Sequence, residues 1–423
     1  MKKTVLLLSA LLIWACTPGE KPVNDKTPEG QTPGGSIDTP GGDDNTDDPG
    51  TTVGVDPSTL PDEPWFSTNY WDRTDAQKMG FRGKVKSFTE KRYYSSTPYI
   101  QGGSFDTPYT DYEQYEFRED GNLSRMTAFE GDNNIKARYT FEYDSEGRLS
   151  DMKYYDNFTS EPAYPTSTYH YEYDNPGKRV AYFADNWKIN GSTYTSDFSY
   201  WSIPSLVNGL SEVVEDRWAA PDAFYKTVVR RTYKFEGADK LIATVENSWW
   251  TADDPDNKSS EILGPYELTY SGGYPVSSTG SSATSTWFEN GMMASYTIVY
   301  TFPAATLTTT WYDNPYMVCP KSYTGGPDGP FGAIFWDYTY SSAWEKTGQK
   351  ASYWTSEQVP PKEGVTYTYQ TIDGVEYVIN TNSWTDYVWD SNGNWISRTE
   401  SMEPAAQPGE PHLLQYRRTI EYY

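Results

Sequence analysis

The chain has few of the side chains on which cross-linked or metal-dependent folds rely. Its 423 residues include only two cysteines and two histidines. A disulfide framework cannot form from so few thiols, so the fold must rest on burial alone. Zinc sites take most of their ligands from His and Cys. We therefore expect no metal site.

Basic residues are also in deficit. Lys and Arg number 34 against 59 Asp and Glu, which gives a formal net charge of −25. Binding to nucleic acid requires basic side chains clustered on one face, and binding to anionic lipid through charge requires the same. The composition therefore argues against nucleic acid as a partner.

Long apolar runs are missing beyond the first twelve residues. Two lysines precede a run that ends at Leu12, which is too short to span a bilayer. Ala15 and Cys16 follow. Residues 1–15 resemble the lipobox signal peptide of bacterial lipoproteins, although Trp14 replaces a usually smaller residue. An ordinary secretory signal with a chance cysteine is the alternative.

The lipoprotein resemblance implies a location and a membrane contact. Cleavage before Cys16 and acylation of its thiol would tie the chain to the outer membrane, facing the periplasm or the cell surface. Residues 16–64 are rich in Pro, Gly, Asp and Thr and cannot bury enough apolar surface to fold. We predict a disordered tether there, followed by a single domain over residues 65–423.

Aromatic residues are the main apolar material of that domain. The chain contains 38 Tyr and 16 Trp, and its mean hydropathy is −0.77. Aromatic and β-branched residues separated by Gly and Pro are typical of strands. The pattern predicts an all-β fold. One capped helical turn is predicted over Thr74–Gly80, before a first strand at Gly83–Glu90.

The strand pattern repeats along the domain. Tyr139–Asp144 and Tyr169–Asp174 each place three aromatic rings on one face and polar groups on the other. Weaker copies follow at 198–200, 233–236, 266–270, 296–300, 338–340, 387–390 and 419–422. Such self-similarity indicates a repeat architecture.

The turns between these strands also recur. Tyr143–Leu149 and Trp389–Trp395 both place Asp early, Gly fifth and an apolar residue last, and Phe117–Leu123 is a partial copy. Asp can bond to the backbone ahead of it, and Gly supplies the positive φ that closes a hairpin. Each unit is therefore predicted to be one β-hairpin.

These turns resemble the signature of YD-repeat (RHS-like) proteins, Tyr-Asp followed by Gly-Arg-Leu or Gly-Asn. The resemblance covers most of residues 83–423, although only three copies are good. It implies stacked antiparallel hairpins. We predict consecutive hairpins that form a long curled meander or an open barrel. The repeat indicates architecture and leaves function open.

Candidate metal and catalytic groups are weak. His170, Glu172 and Asp174 alternate on one strand face, but a solvated polar face is favoured over a cation site. The acidic stretch 253–257 lacks the spacing of a calcium loop and is better explained as a polar turn. No His-Glu-x-x-His, Gly-x-Ser-x-Gly or Walker motif occurs, and Pro interrupts the glycine-rich stretch 325–330. We assign no catalytic residue and no cofactor.

Four tryptophans are the candidate ligand-binding residues. Trp249 and Trp250 are adjacent, so on a strand they face opposite sides and only one can enter the core. Trp384 and Trp389 lie near a well-formed turn. Exposed rings beside Asp and Asn suit sugar recognition, whereas rings that only cover sheet ends are the simpler explanation.

The sequence therefore favours a non-catalytic envelope lipoprotein that presents an aromatic β-repeat surface to a glycan or a protein. The alternative is an envelope polysaccharide hydrolase that uses an unidentified Asp/Glu pair. A close, partly buried carboxylate pair would favour the hydrolase, and a flat aromatic strip without one would favour binding.

Overall fold

A computed structural model describes most of the domain. The described residues are 55, 57–94, 107–108, 111–130, 134–158, 164–173, 185–189, 192–196, 209–217, 224–280, 283–301, 304–313, 320–325, 334–340, 346–355, 368–372, 374–403 and 413–423. The predicted signal peptide, Cys16 and most of the predicted tether lie outside these residues. So do Asp174 and the repeat copy at 198–200.

Strands dominate the described residues. Three short 3-10 turns, at Pro57–Thr59, Pro64–Ser67 and Tyr70–Asp72, precede helix α1 at Asp75–Lys78. The strands of the first half are β1 Val85–Tyr94, β2 Thr107–Pro108, β3 Tyr112–Phe117, β4 Leu123–Glu130, β5 Asn134–Tyr143, β6 Leu149–Phe158, β7 Ser167–Tyr173, β8 Asp185–Ile189, β9 Ser192–Ser196, β10 Leu210–Asp216, β11 Tyr225–Glu236 and β12 Lys240–Thr251.

The second half continues the pattern. Its strands are β13 Asp254–Ser271, β14 Tyr274–Thr279, β15 Ala283–Trp287, β16 Met293–Thr301, β17 Ala304–Trp311, β18 Pro320–Gly325, β19 Ile334–Tyr340, β20 Lys346–Thr355, β21 Thr368–Ile372, β22 Val375–Trp389, β23 Trp395–Glu403 and β24 Leu413–Tyr422. Among the described residues, no helix is both long and apolar enough to cross a membrane.

The strands form one antiparallel meander that closes on itself. Strands β3 to β7 and β10 to β20 pair in chain order, followed by β22, β23 and β24. Strand β1 joins the two ends, because it pairs with β24 on one side and β3 on the other. The predicted hairpin meander is confirmed, and closure leaves a ring of 20 strands. Strands β8 and β9 form a separate hairpin.

Four hairpin turns share one hydrogen-bond pattern. In the Tyr143–Leu149 turn, Asp144 N donates to Arg148 O and Gly147 N donates to Asp144 O. The same two backbone bonds recur in the turns at Phe117–Leu123, Trp287–Met293 and Trp389–Trp395. The glycine has φ between 78° and 88° in each, a conformation that other residues adopt at a cost. Trp287–Met293 is a copy that the sequence signature did not reveal.

The tyrosine that opens a repeat binds the repeat before it. The Tyr143 hydroxyl donates to Leu123 O at 2.7 Å, and the Tyr173 hydroxyl donates to Leu149 O at 2.8 Å. An arginine of the preceding turn lies over each ring; Arg148, for example, lies 4.6 Å from the Tyr173 centroid. The motif therefore fixes the stacking of neighbouring hairpins as well as the turn itself.

Residues 57–83, here called the strap, cross the end of the ring that carries these turns. Helix α1 begins at the N-cap Thr74, which forms a capping box with Gln77, and Gly80 follows at φ 79°; the predicted capped turn is confirmed. Trp71 and Phe81 insert into the core, where Phe81 lies 4.7 Å from Phe88.

The strap contacts five hairpins. Asn69 and Tyr70 bond to the β15–β16 turn, Asp72 to Tyr274 on β14, Asp75 to Leu123 and Tyr143, and Arg82 to Asn394 in the β22–β23 turn. Residues 57–64, part of the predicted tether, also lie here, since the Pro61 carbonyl accepts from Arg82 at 3.1 Å.

In strands such as β11 and β12, alternation places one face inside the ring. In β11 the buried residues are Val229, Arg231 and Tyr233, and in β12 they include Val245 and Asn247. The core is thus a mixture of aliphatic, aromatic and polar side chains. Burial is complete enough that the Tyr171 pKa lies well above its usual value.

Candidate functional site

The long strands β11, β12 and β13 extend past their neighbours at the end of the ring opposite the strap. Strand β10 pairs with β11 only as far as Asp216 and Val228. Strand β14 pairs with β13 only from Glu267 onward. Eleven residue steps separate Tyr225 from Glu236, about 36 Å at 3.3 Å per residue.

Four aromatic residues lie at this far end, and we call them the aromatic end: Phe224, Tyr225, Trp249 and Trp250. The register places Thr227 opposite Trp249 and Lys226 opposite Trp250. Trp249 lies on the inner face and packs against the core. Trp250 lies on the outer face, where the Lys258 ammonium is 4.5 Å from its ring centroid. The predicted division of the two tryptophans between opposite faces is confirmed.

Phe224 and Tyr225 complete the aromatic end, and the sequence reasoning missed them. Each is 55% exposed. Their ring centroids lie 4.8 Å apart at an interplanar angle of 86°. Tyr225 shares the inner face with Trp249 on the adjacent strand, at a diagonal position within reach of large rings. The only feature of the sequence that could have indicated these two rings is that they are adjacent and lie at the start of a strand.

The surroundings of the aromatic end are acidic. The tight turn after Trp250 places Asp253, Asp254 and Asp256 at the tip, all exposed. None of the three forms an ion pair with a described residue, whereas Lys226 pairs with Asp216. Burial lowers the pKa of Lys226. The prediction of a polar turn over 253–257 is wrong for most of the stretch. Only Asp253 lies in the tight turn, and residues 254–257 begin strand β13.

The other two predicted tryptophans do not join this surface. Trp384 is only 6% exposed, and the buried Lys346 ammonium lies 3.8 Å from its ring centroid. Its ring is therefore part of the core and does not provide the exposed face that sugar stacking requires. Trp389 is half-buried beside a strap-end turn and stacks on Tyr387 at 5.5 Å.

The predicted polar strand face around His170 is a surface feature. His170 and Glu172 are exposed, and the His170 Nδ1 lies 2.6 Å from Asp151 Oδ1 on the neighbouring strand. Across the part of the chain that the structure describes, no group of three or more His, Cys, Asp and Glu side chains is arranged to hold a metal ion.

A carboxylate pair lies on the inner face of β1 and β3. Glu90 and Glu113 are directly opposite in the register, so their Cβ atoms are about 4.5–5.5 Å apart. Arg418 Nε lies 3.0 Å from Glu90 Oε2. Burial raises the pKa of Glu113, even though the Tyr115 hydroxyl donates to its carboxylate at 2.7 Å. The two environments differ, as those of an acid and a nucleophile do.

The strap borders an open cleft of about 510 Å³. Phe66 and Asn69 line one side, and Glu289, Asn290 and Asp313 line the other. The side-chain amides already have partners, because Asn69 donates to Glu289 O and Asn290 donates to Asp313 Oδ1. The polar groups that the cleft presents to a ligand are therefore mainly the carboxylate oxygens of Glu289 and Asp313.

Comparison with known proteins adds a distant structural similarity. No protein-family model matches the chain, and no curated protein matches it. Among solved structures, the chain is similar to one described as "Crystal Structure of TcdB2-TccC3 without hypervariable C-terminal region", at 10% identity and a TM-score of 0.26. The match covers 73% of this chain and 15% of that chain. This chain thus corresponds to a small part of the length of its neighbour.

Proposed function

We propose that this protein is a non-catalytic, YD-repeat-like lipoprotein of the cell envelope that binds a glycan through its aromatic end. The observation that carries the proposal is the pair of exposed rings at Phe224 and Tyr225 beside the two tryptophans. Flat rings stack on the apolar faces of sugars, and neighbouring polar side chains accept hydrogen bonds from hydroxyls.

The position of the aromatic end supports this role. The strap, which follows the proposed tether, lies at one end of the ring, and the aromatic end lies at the other. A lipid on Cys16 would therefore attach to the strap end and leave the aromatic end as the end that carries no anchor.

A polysaccharide array with the soluble Cys16→Ser protein tests the proposal. We expect a ligand with micromolar to millimolar affinity, about −8 to −4 kcal/mol. Tyr225→Ala and Trp250→Ala should weaken binding at least tenfold without changing the melting temperature. The matched control is Tyr369→Ala, since Tyr369 is also exposed and lies on another strand. No glycan ligand, together with a single protein captured by crosslinking, would replace glycan by protein as the partner.

The lipid anchor has its own test. The wild-type protein should remain with membranes through a carbonate wash, and Cys16→Ser should be released. Retention of the variant would show that the attachment lies elsewhere.

The Glu90–Glu113 pair favours a second candidate, a polysaccharide hydrolase. Glu90 and Glu113 are directly opposite on neighbouring strands, with Cβ atoms about 4.5–5.5 Å apart. Retaining glycosidases also use two neighbouring carboxyl groups, of which one is ionised and the other carries a proton. Arg418 forms an ion pair with Glu90 at 3.0 Å, and burial raises the pKa of Glu113.

Release of reducing ends decides between the two candidates. Hydrolysis that is lost in both Glu90→Gln and Glu113→Gln, and retained in the control Glu116→Gln, would establish the hydrolase. Glu116 is a suitable control because it lies on the same strand and forms its ion pair with Arg125. Absence of cleavage across the array would leave binding as the function.

A further inference from the structure

The charge around the aromatic end restricts which glycans can occupy it. Asp253, Asp254 and Asp256 lie at the tip beside Thr251, which is directly opposite Tyr225. All three side chains are exposed. An anionic sugar stacked on Tyr225 would approach several carboxylates without displacing any of them from a cation among the described residues.

The basic side chains nearby offset this charge only in part. Lys226 pairs with Asp216, and Arg230 pairs with Glu212 at 3.2 Å. The Lys258 ammonium lies over the Trp250 ring, which is neutral, so Lys258 keeps its positive charge. The three aspartates therefore outnumber the one lysine whose charge no carboxylate in these contacts balances.

We infer that the aromatic end selects neutral glycans and rejects glycans that carry uronate or sulfate groups. This inference rests on the proposed glycan-binding function and names its ligand class. Two unit charges about 7 Å apart in water interact with about 0.6 kcal/mol, which is nearly threefold in affinity. Three carboxylates at such distances disfavour an anionic sugar about tenfold or more at low salt. The discrimination shrinks as salt rises, because the Debye length is about 8 Å at physiological ionic strength.

The acidic tip also explains how a ligand could be oriented. Carboxylates accept hydrogen bonds from sugar hydroxyls, and charge-assisted bonds of this kind are stronger than neutral ones. A neutral sugar therefore gains from the same side chains that repel an anionic one. The aspartates act as specificity determinants, and the rings supply the stacking surface.

The experiment compares charged and uncharged polysaccharides on the soluble Cys16→Ser protein. The neutral probes are dextran, mannan, arabinoxylan and fully methyl-esterified homogalacturonan. The acidic probes are hyaluronan and the same homogalacturonan after de-esterification, which changes only its charge. We expect binding among the neutral probes, and binding to any acidic probe at least tenfold weaker at low salt.

A triple variant, D253N/D254N/D256N, tests the cause. The triple variant should bind acidic probes about tenfold more tightly than the wild type, while its melting temperature is unchanged. The control E119Q/E236Q/E421Q makes the same change in net charge at the strap end, where all three residues are exposed. The control should bind both neutral and acidic probes with the affinity of the wild type. This control separates local from overall charge.

The outcomes are distinct. Equal binding of neutral and acidic probes by the wild type overturns the selectivity and leaves glycan binding intact. Binding confined to acidic probes overturns the selectivity as well. No binding to any probe overturns both this inference and the proposed function. A triple variant that matches the wild type on acidic probes would show that the aspartates do not determine specificity.

Discussion

At the residue scale, the repeated turn is decided by one backbone conformation. The four related glycines have positive φ, yet their surroundings differ. A Cβ at Gly147 would meet nothing within 4 Å, whereas a Cβ at Gly291 would lie 2.2 Å from Asn69 Oδ1. Gly147 therefore isolates the cost of the backbone conformation from the cost of crowding.

We predict that Gly147→Val lowers the free energy of unfolding by about 1–3 kcal/mol, because a β-branched residue is strained at positive φ. Gly147→Asn should cost much less, since Asn tolerates this region. Urea denaturation followed by tryptophan fluorescence measures both. Equal urea midpoints for the wild type and Gly147→Val would show that Gly147 does not need a positive φ in this turn.

Gly325→Val is a further comparison. Gly325 opens the glycine-rich stretch 325–330, yet it is the last residue of β18 and pairs with Leu307. Because Gly325 lies in a paired strand, we expect Gly325→Val to cost less than Gly147→Val in the same urea denaturation.

The tyrosines lead to a pH prediction. Burial raises the pKa of Tyr115, Tyr169 and Tyr171 well above the usual value near 10. A pKa raised in the folded state means that these groups stabilise the fold below pH 10, and that this contribution is lost as the pH rises above the unfolded value.

We therefore expect two phases in an alkaline titration followed by absorbance at 295 nm. The first phase should come from tyrosines in contact with solvent, and the buried ones should ionise only when near-UV circular dichroism is lost. The same titration in concentrated urea should show one phase. A single phase in the native protein would mean that the interior admits hydroxide without unfolding.

The residue scale is also where sequence reasoning was most successful and where it failed. The conformations of Asp144 and Gly147 depend mainly on their own side chains, so their positions in the sequence were enough to predict the turn. The burial of Trp384 could not be predicted from the sequence, because it depends on Lys346 and on strands far away in sequence. The turn at Trp287–Met293 was missed because Phe288 and Glu289 replace the usual Asp and Ser.

At the element scale, the strap connects hairpins that are far apart in the ring. Asp75 is fully buried, and its Oδ2 accepts from Leu123 N at 2.8 Å. Asp75 also stabilises the charged form of the buried Lys78, whose pKa burial lowers. Asp75 thus connects helix α1 with the Phe117–Leu123 turn and with the buried Lys78.

Asp75→Ala should lower the free energy of unfolding by about 3–5 kcal/mol. The substitution leaves the buried Leu123 amide without its acceptor and removes the larger of the two carboxylate charges that act on the buried Lys78. Asp72→Ala is the matched control. Asp72 is exposed, accepts a hydrogen bond from Tyr274, and is the smaller of the two carboxylate charges that act on Lys78. Its loss should therefore cost less than the loss of Asp75, about 1 kcal/mol. Differential scanning calorimetry compares the two variants. Similar melting temperatures would show that the strap is not integral to the ring.

The capped helix and the strands could be predicted, but the path of the strap could not. Local signals such as the Thr74 cap and the closing Gly80 identify an element and its ends. The contacts of Asp75 and Arg82 lie at sequence separations of 48 and 312 residues. Nothing in the local pattern specifies a partner so distant, and the same holds for Glu90 and Arg418.

At the scale of the whole molecule, closure depends on the last strand. Strand β24 pairs with β1 over nearly its full length, and Arg418 reaches Glu90 across that pairing. Removing residues 413–423 would expose the edges of β1 and β23, and exposed edges invite pairing with other chains.

We predict that a protein ending at residue 412 loses its cooperative thermal transition and associates, as measured by calorimetry and light scattering. A variant that begins at residue 55 retains the strap and should melt like the full chain. A start at residue 65 removes the contact of Pro61 with Arg82 and should melt lower. A cooperative monomer ending at residue 412 would show that the ring does not need closure.

The pairing of the first strand with the last has a consequence for folding. A partner 328 residues away gives the closing step a very high contact order, and such contacts form slowly because a long loop must first be ordered. The hairpins can form locally while the chain is being synthesised, but the final pair of edges stays unsatisfied until the C-terminus arrives. The protein therefore passes through an open sheet with two free edges, and that intermediate is the species on which a chaperone or a protease would act.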